Sequence, residues 1–133
     1  MKYFADTFYF LALLNPSDRD HRRALEFKPN SSDVLITSEF VLIELADGLC
    51  KTRNRTTFTG MYQRLTANAD AQIIPVDHEL FSAGIDLFGK RPDKEWSLTD
   101  CTSFLIMREH GLTHALTADH HFEQAGFTAV LKD

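Results

Sequence analysis

The sequence predicts an α/β protein, a three-layer sandwich in which a central parallel sheet of four to five strands is flanked by helices. Short apolar runs rich in β-branched residues alternate with longer stretches of helical periodicity. The chain between successive runs is mostly long enough for a helical crossover, as parallel neighbours require. A length of 133 residues supports a core without staples, and 44% hydrophobic with 25% charged residues is a globular balance. No repeat, low-complexity tract or linker interrupts the pattern, so residues 1–133 are expected to form one domain.

Taken in order, "KYFA" (2–5) is the first strand and "TFYFLALL" (7–14) a helix of about two turns ended by Asn15-Pro16. Ser17 offers a cap for a helix through "RDHRRALEF" (19–27), stopped by Pro29 and the polar "NSS". "DVLIT" (33–37) is the second strand. A helix over "SEFVLIELADGLCK" (38–51) follows, with Ser38 as cap and Gly48 weakening its end. In "TTFTGMYQRLTAN" (56–68), Phe58, Met61, Tyr62 and Leu65 share one helical face. "AQIIPV" (71–76) is the third strand, and Asp77 caps "HELFSAGIDLFGK" (78–90). "SLTDCTSFLIMREHG" (97–111) is a helix closed by Gly111. "THALTA" (113–118) and "FTAVL" (127–131) are the last two strands, with one more helix between them.

Composition narrows the function. The two cysteines, Cys50 and Cys101, form no C-x-x-C, which argues against a zinc knuckle and for a reducing compartment or indifference to redox. The apolar N-terminus is interrupted by Asp6 and has no A-x-A-like cleavage site, so a cytoplasmic protein outside the membrane is expected. A net charge of −5 disfavours nucleic acid, unless several acids converge on cations. Positive charge is clustered in "KTRNR" (Lys51, Arg53, Arg55) and "GKRPDK" (Lys90, Arg91, Lys94), either as solvated loop charge or as a phosphate guide.

Open α/β sheets bind ligands beyond the carboxyl ends of their strands, so residues just after strands carry the information. Asp6 and Asp119 are such residues; each alone is more often a helix N-cap than a catalytic residue, a reading that weakens when both point at the same edge. Glu44 is the one polar residue in "FVLIELA", a stretch apolar all round and therefore expected to be covered on more than one face. It must reach the surface, protonate or meet a cation. Asp100 opens a helix, where it complements the dipole. With Ser97 or Thr99 available to cap, its carboxylate is expected to project elsewhere, and Ser103 shares its face. Oxygen donors from separated segments suit Mg²⁺ or Mn²⁺ and phosphodiester hydrolysis.

Other chemistries fare worse. A histidine zinc site is disfavoured: His120 and His121 are adjacent, so their side chains would diverge on a strand or sit about 100° apart on a helix, and His110 and His114 straddle Gly111 and form no H-x-x-x-H within one helix. No G-x-G-x-x-G, P-loop or G-x-S-x-G occurs. A phospho-accepting receiver module wants an acidic pair after the first strand and a Lys near the fifth; here Asp6 stands alone and Lys132 lies at the far terminus. Trp96 is expected to cover the core, with base stacking the alternative.

The blocks "FADTFYFLALLN", "TSEFVLIEL", "RPDKEWSLTDCTSFLIMREHG" and "ALTADHHFEQAGF", in that order, resemble a PIN domain, most closely the VapC-type toxin nucleases. The resemblance spans essentially the whole chain. It implies a site where Asp6, Glu44, Asp100 and Asp119 converge on Mg²⁺ or Mn²⁺ to hydrolyse RNA phosphodiesters. Asp6 and Asp100 would be direct ligands, Glu44 a ligand or water-positioning base, and Asp119 the group that completes the site. Thr7 and Ser103 would support from behind, or only cap and back-bond their helices. Lys51, Arg53, Arg55, Arg91 and Lys94 are candidate RNA contacts. A homodimer and a cognate antitoxin covering the site are implied as well. A processing nuclease without an antitoxin, or a weakly active PIN-like binding module, are the alternatives; His120 and His121 stay open as bystanders or RNA contacts.

Overall fold

The computed structural model describes residues 1–27 and 32–133. Five strands, β1 (Lys2–Ala5), β2 (Val34–Ser38), β3 (Ala71–Ile74), β4 (His114–Leu116) and β5 (Thr128–Ala129), form one sheet of order β3-β2-β1-β4-β5. All four pairings are parallel, as the helical spacing of the strands predicts. The helices are α1 (Thr7–Leu14), α2 (His21–Glu26), α3 (Glu39–Gly48), α4 (Thr52–Ala67), α5 (His78–Lys90), α6 (Leu98–Glu109) and α7 (His120–Gln124).

β1 is the middle strand and is buried at Phe4 and Ala5. Packed around it are Ile36 of β2, Leu116 of β4, Val41 and Leu45 of α3, and Phe104, Ile106 and Met107 of α6. Phe104 anchors an aromatic cluster, with Trp96, Phe122 and Phe127 at ring-centroid distances of 4.9, 5.0 and 5.8 Å. Helices α5 and α6 approach so closely at Gly84 that a Cβ there would lie 2.7 Å from Thr102 Cγ2. Gly111, with φ +65°, takes the left-handed turn that ends α6.

Several boundaries move. The Ser17 cap does not form: Ser17 sits in a turn, its N–H donating to Asn15 Oδ1, and α2 starts at His21. The stop at Pro29 and Asn30-Ser31 lies outside the described residues. Helix α3 ends at Gly48 rather than Lys51, and α4 starts at Thr52 rather than Thr56. "KTRNR" is therefore a helix start and not a loop, with Lys51 at the N-cap position. The strands β3, β4 and β5 are shorter than their apolar runs, because hydrophobicity marks burial whereas the ladder stops where the neighbouring strand stops. Among the described residues no helix is long and apolar enough to cross a membrane.

Candidate active site

From β1 the chain crosses over to β2 on one side, whereas β4 pairs with β1 on the other. The crevice at the carboxyl end of β1 is thus the switch point of the sheet. A cleft of about 330 Å³ opens near it, lined by Asp6, Thr7, Glu44, Glu95, Asp100, Asp119 and His121 among others. All four acids singled out in the sequence, carried by four different segments, line this one cleft.

Asp6 occupies the N-cap position of α1 without a side-chain capping bond. Its Oδ2 instead accepts from the Thr117 hydroxyl at 2.9 Å, and the residue is buried. Burial, with the Asp100 charge adding to it, raises the Asp6 carboxyl from its ordinary 3.8 to about 7. Asp100 is raised as well, mainly by burial; the backbone hydrogen bond from Ser97 opposes this and the Asp119 charge adds to it. Two neighbouring carboxyls that resist ionisation would be relieved by a nearby counter-charge.

Asp100 is not free of capping duty. Ser97 Oγ accepts from Asp100 N–H at 2.9 Å while Asp100 Oδ2 accepts from Ser97 N–H at 3.1 Å, a reciprocal capping box. The carboxylate still borders the cleft, because two oxygens offer more acceptor sites than one cap uses. Asp119 is likewise both cap and cleft wall: its Oδ1 accepts from His121 N–H at 2.9 Å. Glu44 is exposed, with Ile43 beside it 53% exposed, so α3 is not covered on the face that carries Glu44. Glu44 reaches solvent and the cleft together.

Thr7 Oγ1 and Ser103 Oγ are the two buried side-chain polar atoms among the described residues that lack a hydrogen-bond partner. Thr7 lines the cleft, and Ser103 follows Asp100 by one turn of α6. Unsatisfied buried hydroxyls are uncommon and want a partner from outside the protein chain. The carboxylates and Thr7 Oγ1 give the cleft oxygen donors of the kind Mg²⁺ or Mn²⁺ takes, with His121 as its one nitrogen donor.

Three residues of the site escaped the sequence reading. Thr117 donates to Asp6 and accepts from Asp119 N–H at 3.1 Å, tying two acids together. Its spacing of two from Asp119 is the available signal, since alternate residues of an extended segment share a side. Glu95 adds a fifth carboxylate to the lining. His121, left open between bystander and RNA contact, lines the cleft, with its Nδ1 3.3 Å from both Asp100 Oδ2 and Asp119 Oδ1. Nor do the adjacent histidines diverge, for their ring centroids are 4.4 Å apart at the start of α7.

None of the expected RNA-contacting cations, Lys51, Arg53, Arg55, Arg91 or Lys94, lines the cleft. Arg91 forms a forked pair with Asp93, at 3.0 Å for both bonds, and lies 4.9 Å over the Trp96 ring. Lys94 stands 4.0 Å from the same Asp93. Trp96 itself is 4% exposed and donates to Gln124 Oε1 at 3.0 Å, so it covers the core and offers no stacking face.

The fold and cleft define a parallel α/β protein with a carboxylate-lined crevice at the sheet's switch point. The PIN domain family model matches residues 3–128, and the chain belongs to that family. It is 29% identical over 130 residues to the 23S rRNA-specific endonuclease VapC20 of Mycobacterium tuberculosis, covering 96% of each chain. The crystal structure of that VapC20, described as a sarcin-ricin loop cleaving toxin, superposes with a TM-score of 0.85 and 27% identity, over 96% of this chain and 98% of that one. VapBC2 of Rickettsia felis, solved on a promoter DNA fragment, has the same fold at a TM-score of 0.68 and 15% identity, over 97% and 96% of the two chains.

Proposed function

We propose that the protein is a Mg²⁺- or Mn²⁺-dependent endoribonuclease, the toxin of a toxin–antitoxin pair, acting as one domain through Asp6, Glu44, Asp100 and Asp119. The observation that carries this is the meeting of four acids and the orphaned Thr7 hydroxyl in one cleft, with the orphaned Ser103 hydroxyl one helical turn on from Asp100. The likeness to a 23S rRNA endonuclease makes ribosomal RNA the first substrate to test.

Asp6 and Asp100 would hold the cation, Asp119 would complete the set, and Glu44, facing solvent, would bind the ion or take the proton of an attacking water. Thr117 fixes the Asp6 carboxylate, and Thr7 and Ser103 orient ligands from behind. When bound, the ion supplies an acidified water and positive charge at the leaving oxygen. Phosphate approaches a cleft whose own charge repels it until that charge is neutralised, which suits a chain of net charge −5. An antitoxin that lays a basic side chain against the same acids would silence it. The apolar stripe Phe81, Ile85 and Phe88 of α5, exposed together with Ile43 of α3, supports a homodimer.

The test is cleavage of 23S rRNA and of a sarcin-ricin hairpin by purified protein with Mg²⁺, Mn²⁺ or EDTA, alongside Asp100→Asn. Cutting that needs metal and is lost in folded Asp100→Asn is expected. Cutting that survives EDTA or the substitution overturns the site.

A further inference from the structure

We propose that His121, Asp119 and Asp100, with His120 at the rim, form a nitrogen-containing cation site that shares the Asp100–Asp119 wall of the cleft, and that it takes Zn²⁺ in preference to Mg²⁺.

Geometry comes first. Around a tetrahedral ion with bonds of about 2.0–2.1 Å, donor atoms stand roughly 3.3–3.4 Å apart, whereas adjacent donors of octahedral Mg²⁺ stand about 2.9 Å apart. The distances from His121 Nδ1 to Asp119 Oδ1 and to Asp100 Oδ2 are both 3.3 Å. That is beyond the usual N–H···O range of about 2.7–3.2 Å, so His121 sits evenly between two acceptors rather than bonded closely to either. His120 Nδ1 lies 3.7 Å from the same Asp119 oxygen. Ligand atoms from Asp119, His120 and His121 all fall within 4.8 Å of one another.

The donors are also held. Asp119 Oδ1 accepts from His121 N–H and Asp100 Oδ2 from Ser97 N–H, so backbone groups orient both oxygens, as outer-shell partners do in metal sites. The His121 side chain is 19% exposed and His120 64%, leaving an approach from solvent. Imidazole nitrogen suits zinc and is a poor partner for magnesium, so the donor chemistry favours zinc on the His121 side of the cleft that Asp100 and Asp119 share. Zn²⁺ at His121 would withdraw Asp100 and Asp119 from the cleft and inhibit cleavage; this consequence, unlike the binding, rests on the ribonuclease reading.

The experiment uses the full chain freed of metal with EDTA and then dialysed. Co²⁺ is titrated as a spectroscopic substitute for Zn²⁺, since tetrahedral Co²⁺ absorbs far more strongly in the visible than octahedral Co²⁺. Bands that saturate at one equivalent, bleach with Zn²⁺ and persist in excess Mg²⁺ are expected. His121→Gln should abolish them and weaken Zn²⁺ binding at least about tenfold, whereas Asp6→Asn, which loses Mg²⁺-dependent cutting, should keep them. Imidazole resonances provide a check free of substitution: Zn²⁺ should shift His120 and His121 and spare His21, His78, His110 and His114. Absent bands, bands unchanged in His121→Gln, bands lost in Asp6→Asn, or unshifted His121 resonances overturn the proposal. Magnesium-dependent RNA cutting in the same preparation reports separately on the ribonuclease.

Discussion

The sharpest consequence of the Asp6 environment concerns stability rather than activity. In the folded protein the Asp6 carboxyl ionises near pH 7 against an ordinary value of 3.8. The folded state thus binds the proton more tightly than the unfolded chain, so stability from this group is full below about pH 4 and falls as pH rises toward 7. At about pH 8 the loss amounts to about 4 kcal/mol by linkage. Asp6→Asn removes the charge and keeps an oxygen to accept from Thr117. Its amide must find new partners, so a net gain of about 2 kcal/mol is expected in EDTA at about pH 8, near 6 °C in melting temperature for a domain of this size. At about pH 4.5, where Asp6 is already mostly protonated, the gain should largely disappear. Urea unfolding and thermal melts of both proteins at the two pH values decide it. Adding Mg²⁺ should then stabilise the wild type and leave the variant unchanged, because only the former retains the site. A variant that is less stable at about pH 8, or equally stabilised at both pH values, would refute the reasoning that burial and a neighbouring acid strain this carboxylate.

Three further outcomes test the framework around the site. Thr117→Val keeps the shape but removes the bridge between Asp6 and Asp119 N–H; a loss of about 1–3 kcal/mol in urea unfolding and slower RNA cutting are expected. Gly84→Ala drives a Cβ against the buried Thr102 where α5 meets α6, and should cost about 1–3 kcal/mol, read from the melting temperature, with no change in the visible Co²⁺ bands. Phe104→Ala empties the centre of the Trp96–Phe122–Phe127 cluster and should cost about 3–5 kcal/mol, read by denaturant titration followed through Trp96 fluorescence.

The sequence specified the sheet, its parallel sense and the end of β1 at Ala5, but not where β2, β3, β4 and β5 stop. Apolar runs separated by crossovers leave few alternatives, and Asp6 and Asp119 must then emerge at one edge. It also marked α1 and α5 to the residue, because Asn15-Pro16 and the Asp77 cap are local signals that act on the adjacent backbone. What it left undecided depends on groups far apart in the chain. Nothing near Glu44 reveals that its face of α3 is open, since that depends on where α1 and α6 pack. Nothing near Asp100 reveals that His121, twenty-one residues on, turns its ring toward the capping-box carboxylate. Adjacent helical positions point about 100° apart, yet the His120 and His121 rings meet at 4.4 Å, because side-chain rotamers and not the backbone period set where the rings lie. Burial of Trp96 and pairing of Arg91 with Asp93 likewise settled only on packing. Local periodicity and caps are written in neighbouring residues; the electrostatics of a cleft arise from charges that share a space only after the sheet has formed, and that part belongs to the tertiary structure.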